Sequence, residues 1–300
     1  MVPLPRHPLA EVFGFPTTNF SAEAERHRQL KLCPFHNHVP TCTKDKAEQP
    51  LGVCSVFEGS NIVITCPIRF RENWLAIRDA ATFFFPPGAQ WTVLSEVRLN
   101  DRFGQSAGNL DFVLAAYDHL GKIIDFGALE VQAVYISGNV RAPFEQYMAD
   151  PQQRANMDWS RQRFYPRPDY LSSSRKRLAP QLLYKGAILS SWGKKMAVAV
   201  ESNFFATLPQ MEETAPEYAE IAWLIYDLQY REQENRYHLT RTRTVYTAFQ
   251  TALTKIITAE PGHLGDFLQL LQSRLDSKRE NGDRQKSLFQ LSEPHEWEED

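Results

Sequence analysis

Two polar residues, Glu130 and Gln132, have the types and the spacing of a hydrolytic metal site. They lie in the alternating run from Gly127 to Val134. Side chains two residues apart in a β-strand point the same way, so the run predicts a strand with both residues on one face. The apolar residues between them are then directed to the opposite face and into a core: Leu129, Val131 and Ala133.

A second carboxylate, Asp111, precedes Glu130 by nineteen residues, near the start of a predicted strand from Leu110 to Ala116. Two carboxylates at the ends of adjacent strands repel one another, and a divalent cation offsets that repulsion. An Asp, a long gap and then Glu-x-Gln or Glu-x-Lys is the layout of metal-dependent nucleases. Surface carboxylates beside a turn are the plainer alternative. Asp118 and Asp125 rank lower, because the first falls in a predicted turn and the second lies outside the pattern.

All four cysteines of the chain fall within one short stretch: Cys33, Cys42, Cys54 and Cys66. Four thiolates predict one closed tetrahedral metal site of structural type, and an all-sulfur shell selects zinc or iron. His36 and His38 lie close to Cys33 and could replace a sulfur ligand. Four buried apolar cysteines that happen to be neighbours are the alternative.

The charge distribution is uneven. The net charge of the 300 residues is −3, yet the block from Arg154 to Lys195 has ten basic residues against two acidic ones. A basic block in an acidic chain is typical of a surface that binds the phosphate backbone of a nucleic acid. A solvated helix face followed by a loop would give the same count.

The elements that must position these residues indicate an α/β (α+β) protein with a mixed central sheet flanked by helices. Strands are predicted from Gln90 to Tyr135, at Met196 to Ser202, and over two later segments. Helices are predicted at 22–32, 73–85, 170–192, 247–258 and 264–275, and the proline-containing segment 138–168 is predicted to be mostly loop.

Three regions follow from this pattern. Residues 1–80 would form an N-terminal region with the four-cysteine module, and residues 81–275 a catalytic core with DNA-binding elements. Residues 276–300 are polar and predict a disordered tail. The sequence has no apolar run long enough for a membrane helix and no signal peptide, so we expect a cytoplasmic protein without membrane contact.

Three motifs occur in the order found in one nuclease family. The first is Leu32-Cys33-Pro34-Phe35, with Gly52-Val53-Cys54 and Cys66-Pro67 completing the cysteine segment. The second is Ser95-Glu96, fifteen residues before Asp111, and the third is Gly127 to Gln132 followed by Gly138. From about residue 11 to about residue 210 the chain resembles the NotI-type restriction endonucleases, a branch of the PD-(D/E)XK nuclease superfamily.

The resemblance implies a type II restriction endonuclease, a homodimer that cuts both strands of double-stranded DNA at a short GC-rich palindrome with Mg²⁺. It implies that Asp111 and Glu130 bind the metal, that Gln132 takes the position of the usual lysine, and that Glu96 is an accessory acid. It further implies a structural iron on the four cysteines, with zinc as the alternative. A cognate DNA methyltransferase would protect the host DNA. The chain is shorter than the best-known member and its cysteine spacings differ, which leaves the recognition sequence open.

The chemistry can also be argued from the residues. A Mg²⁺ ion held by Asp111 and Glu130 would lower the pKa of a bound water and hold the scissile phosphate. Gln132 can neither act as a general base nor carry positive charge, so we expect it to orient water or phosphate by hydrogen bonds.

Guanine is best recognised in the major groove by arginine or lysine. The candidates for DNA contacts are Arg161, Arg163, Arg167, Arg175, Lys176, Arg177, Arg241 and Arg243. Arg241 and Arg243 are expected to share one face of a strand. A non-catalytic DNA-binding protein with a structural four-cysteine metal site is the alternative function, and there Asp111 and Glu130 would lie far apart. A scaffolding protein with a redox-sensing cysteine cluster is a third.

Overall fold

The computed structural model describes residues 6–36, 40–44 and 49–280. The chain divides into two units, Met1–Ile257 and Thr258–Asp300. Strands of the first unit are β1 (Leu9–Val12), β2 (Phe15–Pro16), β3 (Val53–Glu58), β4 (Asn61–Ile64), β5 (Trp91–Asn100), β6 (Ser106–Tyr117), β7 (Ile123–Gln132), β8 (Tyr135–Ser137), β9 (Arg167–Asp169), β10 (Met196–Glu201), β11 (Ile221–Arg231) and β12 (Arg236–Thr247).

The centre of the first unit is a six-stranded sheet in the order β12-β11-β10-β7-β6-β5. Strands β5, β6 and β7 pair antiparallel, whereas β10 pairs parallel to both β7 and β11. Strand β12 returns antiparallel to β11. The predicted mixed α/β architecture with a mixed central sheet is therefore confirmed.

Strand β10 shows why the sheet can be covered on both faces. Its residues alternate between larger side chains and alanines, and the two sets enter different apolar clusters. Val198 and Val200 face one cluster, and Ala197 and Ala199 face the other. The small alanines leave room for the helix Leu75–Phe84, whose buried residues belong to the same cluster as these alanines. A strand that is buried on both faces is typical of a parallel pairing at the centre of a sheet.

The opposite face of the sheet packs against several other helices, among them Arg141–Ala149, Ala187–Ser191 and Phe249–Ile257, and against a second, four-stranded sheet in the order β2-β1-β3-β4. A buried ion pair fastens this smaller sheet, because Arg69 Nε lies 3.1 Å from Glu11 Oε2 and both side chains are fully buried. Arg69 also donates to the backbone oxygen of Tyr237 on β12 at 2.9 Å. One guanidinium thus joins the small sheet to the edge strand of the large one.

The helices predicted for the first unit are present, and the structure has further helical segments that were not predicted, two of them in one region. The segment 138–168, expected to be mostly loop, contains the helices Arg141–Ala149 and Pro151–Arg154. Its prolines were misleading, since Pro143 and Pro151 both lie in the first turn of a helix, where no backbone donor is needed. The remaining helical segments are Ala22–Gln29, Pro67–Trp74, Leu75–Phe84, Tyr170–Ser173, Ser174–Leu178, Ala179–Gln181, Leu182–Gly186, Ala187–Ser191, Ser202–Ala206, Pro216–Tyr218 and Phe249–Ile257.

The second unit contains the helix Leu264–Glu280, which continues past the predicted end of the core at residue 275. Several of its large apolar side chains are exposed, among them Leu264, Phe267 and Leu268. Residues 281–300 of the predicted tail lie outside the described residues. Within the described part of the chain, none of the helices has the length and apolar character needed to cross a membrane.

Candidate active site

The two predicted metal-binding carboxylates meet on adjacent central strands. Phe112 of β6 pairs with Leu129 of β7, so one step further along this antiparallel register Asp111 lies opposite Glu130. Asp111 Oδ2 accepts a hydrogen bond of 2.8 Å from the backbone N–H of Val131. The two carboxylates are therefore neighbours across one strand pair. The alternative of a non-catalytic DNA-binding protein predicts that these two carboxylates lie far apart, and the structure does not show that separation.

Glu130 is fully buried, and its two oxygens have different surroundings. Oε2 accepts a hydrogen bond of 2.7 Å from Lys185 Nζ, whereas Oε1 is buried without a hydrogen-bond partner. Burial raises the pKa of Glu130 to about 8, and repulsion from Asp111 adds to the rise, while Lys185 opposes it. A buried carboxylate with one unsatisfied oxygen is costly unless a cation reaches it.

Glu96 approaches the same pair from the next strand. Ser95 of β5 pairs with Phe112 and Val97 pairs with Leu110, which places Glu96 opposite Asp111. Burial raises the pKa of Asp111, and the negative charge of Glu96 also raises it. Glu96 is exposed and has a φ of 55°, a left-handed conformation that a non-glycine residue seldom adopts within a strand. Glu96, Asp111 and Glu130 thus line three consecutive strands.

Gln132 lies two residues beyond Glu130 on β7, as expected. The residue is 5% exposed, and its Nε2 donates to the backbone oxygen of Ala133 at 2.7 Å. Leu129 and Val131 belong to the apolar cluster beneath the helix Leu75–Phe84, which confirms the predicted alternation along this strand. Gln132 brings a neutral amide to the site but no positive charge.

Lys185 is the site residue that the sequence analysis missed. The sequence analysis counts it only among the basic residues of the block from Arg154 to Lys195, yet its side chain is 8% exposed and contacts Glu130. Leu178, Leu182 and Leu189 are fully buried on the same helical segment. Lys185 lies three residues after Leu182 and four residues before Leu189. This helical spacing indicates that it faces the interior as the leucines do.

The donor set suits a small divalent cation. Carboxylate oxygens are the ligands that Mg²⁺ prefers, and Mg²⁺ uses one or two of them together with water and phosphate oxygens. Asp111 and Glu130 provide that sparse set, and Glu130 Oε1 is an orphaned oxygen that could be a ligand. Among the described residues no group of three or more His, Cys, Asp or Glu side chains has the arrangement of a metal site. That finding applies to the carboxylates and to the cysteines alike.

The four cysteines line one small cavity of about 10 Å³, which is the room that a single water or ion occupies. Backbone hydrogen bonds bring Cys54 close to Cys66 and Cys33 close to Cys42. The carbonyl of Cys54 accepts from the N–H of Cys66 at 3.2 Å, while Cys33 and Cys42 flank the bridge between Leu32 and Thr41. None of the four forms a disulfide. The predicted closed four-sulfur shell is not formed, and the four residues share only the lining of this cavity.

Burial makes two thiols of this cavity harder to ionise than an exposed cysteine. Burial raises the pKa of Cys33 to about 11, and it raises the pKa of Cys54 as well. Backbone N–H groups of Phe35 and His36 oppose the rise at Cys33 by hydrogen bonding to its sulfur. Metal binding deprotonates such thiols, and donors of this kind stabilise the resulting thiolate. His36 does not line the cavity, and His38 lies outside the described residues.

The predicted DNA-contacting residues of the basic block fall into two groups. Arg161, Arg163 and Arg167 line one open cavity of about 460 Å³ next to β8 and β9. The other three candidates from the basic block lie on the turn Ser174–Leu178 and are also exposed: Arg175, Lys176 and Arg177.

Arg241 and Arg243 lie on opposite faces of β12, contrary to the expectation that they share one. Arg241 pairs with Asp79 of the helix Leu75–Phe84 at 2.9 Å, whereas the guanidinium of Arg243 is 5.3 Å from the ring centre of Phe205 on the opposite side. The register between β11 and β12 shifts at this point, because Ile225 pairs with Arg243 and Tyr226 with Arg241. The extra residue of this bulge reverses the alternation.

The sequence matches the family model of the restriction endonuclease NotI over residues 18–239. This span includes the four cysteines and the three strands that carry Glu96, Asp111, Glu130 and Gln132. No curated protein matches the chain. The family implies a nuclease that acts on double-stranded DNA. The chain belongs to the NotI restriction endonuclease family.

Proposed function

We propose that the protein is a type II restriction endonuclease that hydrolyses both strands of a short GC-rich palindrome with Mg²⁺. The observation that carries the proposal is the pair of neighbouring carboxylates, Asp111 and Glu130, with Glu130 Oε1 buried and without a partner. Bound Mg²⁺ would supply an activated water and neutralise charge on the phosphate. The PD-(D/E)XK assignment of the core is part of the same proposal.

The roles of the protein groups follow from their positions. Asp111 and Glu130 hold the metal, and the hydrogen bond from the Val131 N–H fixes the carboxylate of Asp111. Gln132 orients water or a phosphate oxygen by hydrogen bonding and moves no proton. Glu96 acts as an accessory acid beside Asp111, and its left-handed backbone presents it to solvent at the strand edge.

The four-cysteine cavity is proposed to hold a structural metal, iron by family resemblance and zinc as the alternative. The presence of all four cysteines in the lining of one cavity of ion size supports this assignment. Sulfur ligands suit either metal, and a four-sulfur shell leaves no position for substrate. Elemental analysis of the purified protein tests it: one iron or zinc per chain is expected, and metal-free folded protein would contradict it.

Recognition of a palindrome is proposed to use a two-fold homodimer. The exposed arginines around the open cavity and on the turn Ser174–Leu178 are proposed to contact DNA. Light scattering coupled to size-exclusion chromatography is expected to give twice the chain mass of 34.5 kDa. A methyltransferase that modifies the same site is expected to protect the host DNA.

The decisive experiment digests a large DNA of known sequence with the purified protein and maps the fragment ends by sequencing. Discrete fragments that appear with Mg²⁺, vanish without it and share one GC-rich palindrome are expected. Glu130→Ala should abolish cleavage and leave DNA binding measurable. Full cleavage by this variant would refute the assignment of the site, whereas binding without any cleavage by the wild type would favour the non-catalytic alternative.

A further inference from the structure

Lys185 is a buried lysine whose ammonium contacts a buried carboxylate of the candidate active site. Its Nζ lies 2.7 Å from Glu130 Oε2, and the two side chains are 8% and 0% exposed. The charge of Lys185 also acts favourably on Asp111. Lysine is almost never buried to this degree unless it is paired. The ammonium is therefore placed where two carboxylates meet.

The strand motif itself provides no cation at this place. Gln132 occupies the position of the usual lysine, and its amide donates to the Ala133 carbonyl. Arg71 lowers the pKa of Asp111, but its guanidinium lies over the ring of Phe112, 4.9 Å from the centroid. The hydrogen-bonded cation at Glu130 comes instead from the helical segment that crosses this face of the sheet.

The surrounding backbone is shaped to admit this side chain. Lys185 lies in the π-helical turn Leu182–Gly186, and such turns are rare and often occur at functional sites. A Cβ on Gly108 of β6 would lie 3.2 Å from Lys185 Cε, and the φ of Gly108 is +108°. A Cβ on Gly186 would lie 2.6 Å from the ring of Phe249. Two glycines thus allow the helix and the lysine stem to lie close to their neighbours.

We propose that Lys185 is a positioning residue of the nuclease site. It holds Glu130 by Oε2, so that Oε1 faces the metal position, and it supplies the positive charge that the Glu-x-Gln strand lacks. This inference rests on the proposed function. Removal of the ammonium should lower the cleavage rate at saturating Mg²⁺, because the ammonium orients the carboxylate that binds the metal. It should not raise the Mg²⁺ concentration that is needed, because an ammonium beside the metal ligands repels a divalent cation.

The test uses Lys185→Met, which keeps most of the apolar stem and removes the charge. Single-turnover cleavage of prebound DNA is measured against Mg²⁺ concentration. We expect the rate at saturating Mg²⁺ to fall on the order of 100-fold, the size of effect that a misplaced group produces. The Mg²⁺ concentration at half-maximal rate should stay the same or decrease. DNA binding in Ca²⁺ should equal that of the wild type.

Three further variants separate the effect of the charge at Lys185 from an effect on folding. Lys194→Met removes the lysine of a second pair with strand β7, in which Lys194 Nζ lies 2.6 Å from Asp125 Oδ1, and it should cleave as the wild type does. In the double variant with Lys185→Met and Gln132→Lys, the lysine returns to the strand, and at least a tenfold recovery of the rate is expected. If Lys185→Met does not fold, Lys185→Gln removes the charge, keeps a hydrogen-bond donor, and should show the same loss of rate.

Cleavage by the folded neutral variant within threefold of the wild-type rate would overturn the role of Lys185 alone. A variant that needs more Mg²⁺ but reaches the wild-type rate at saturation would also overturn it. Such a result would mean that the substitution only weakens metal binding by disordering the site. Wild-type protein that binds DNA but never cleaves it with Mg²⁺ would overturn the proposed function, and this inference with it.

Discussion

Without Mg²⁺, the free energy of unfolding of the wild type should fall as the pH rises, because Glu130 loses its proton. The replacement Glu130→Gln should remove this fall. Glutamine has nearly the shape of glutamate and still accepts a hydrogen bond from Lys185, but it is neutral at every pH. The wild-type carboxyl has a pKa of about 8 in the folded protein against an ordinary value of 4.5, because it is buried beside Asp111. The folded state therefore binds a proton at Glu130 more tightly than the unfolded chain does.

The sign and the size of the effect follow from this difference. A carboxyl whose pKa is raised on folding contributes its stability below pH 4.5, and loses it progressively as the pH rises to about 8. At about 1.4 kcal/mol per pH unit, the loss amounts to at most about 5 kcal/mol of the free energy of unfolding. The variant has no titrating group here, so its stability relative to the wild type should increase over the same pH interval by up to that amount.

Urea denaturation between pH 5 and pH 9 measures both proteins. The buffer should be free of Mg²⁺ but contain no chelator, so that a metal on the cysteines is retained. Asp125→Asn is the matched control, since it neutralises a half-exposed carboxylate on the same strand, where water screens the charge. Curves for Glu130→Gln and wild type that run parallel across the whole pH range would refute the argument. Addition of Mg²⁺ at pH 8 should stabilise the wild type, by about 2.7 kcal/mol at a hundred times its Kd, and not the variant.

Three further predictions concern the other parts of the molecule. Cys54→Ser should lower the metal content measured by elemental analysis and reduce the Tm, whereas an unchanged metal content would exclude a four-cysteine site. Gly127→Ala should lower the free energy of unfolding by about 1–3 kcal/mol in urea, because the new Cβ would lie 2.5 Å from the ring of Phe84, while Gly262→Ala, with open space around it, should not. Arg163→Ala should weaken DNA binding and reduce the slope of affinity against salt by about 1 if it contacts a phosphate, and an unchanged slope would remove it from the interface.

The sequence predicted the central strands well because their signals are local. Alternation along β7 assigned Glu130 and Gln132 to one face, and the structure agrees. The pairing of β7 with β6 follows from a short hairpin, whose turn Asp118 closes by accepting from the N–H groups of Leu120 and Lys122. Two carboxylates on consecutive antiparallel strands can therefore be expected to meet without any knowledge of the rest of the fold.

Long-range features could not be obtained in this way. The parallel pairing of β10 with β7 joins residues about seventy positions apart, and no local pattern specifies it. The bulge that separates Arg241 from Arg243 depends on the register with β11 and leaves no mark in the alternation. Lys185 was missed for a different reason. It lies among leucines at helical spacing, but a lysine is seldom buried, so the spacing alone does not identify it as a site residue.

The helical segment 170–191 links the two halves of the proposed mechanism. Its turn Ser174–Leu178 exposes three basic side chains that are proposed to contact DNA, and its turn Leu182–Gly186 carries Lys185 into the site. These turns are separated only by Ala179–Gln181, and the backbone remains helical throughout. A lysine on β7 would be fixed by the sheet alone, whereas a lysine on this segment is fixed by helix packing. DNA that orders the exposed turn would therefore also order the ammonium that holds Glu130. On this argument, substitutions of Arg175 or Arg177 should reduce the cleavage rate of bound DNA as well as its affinity.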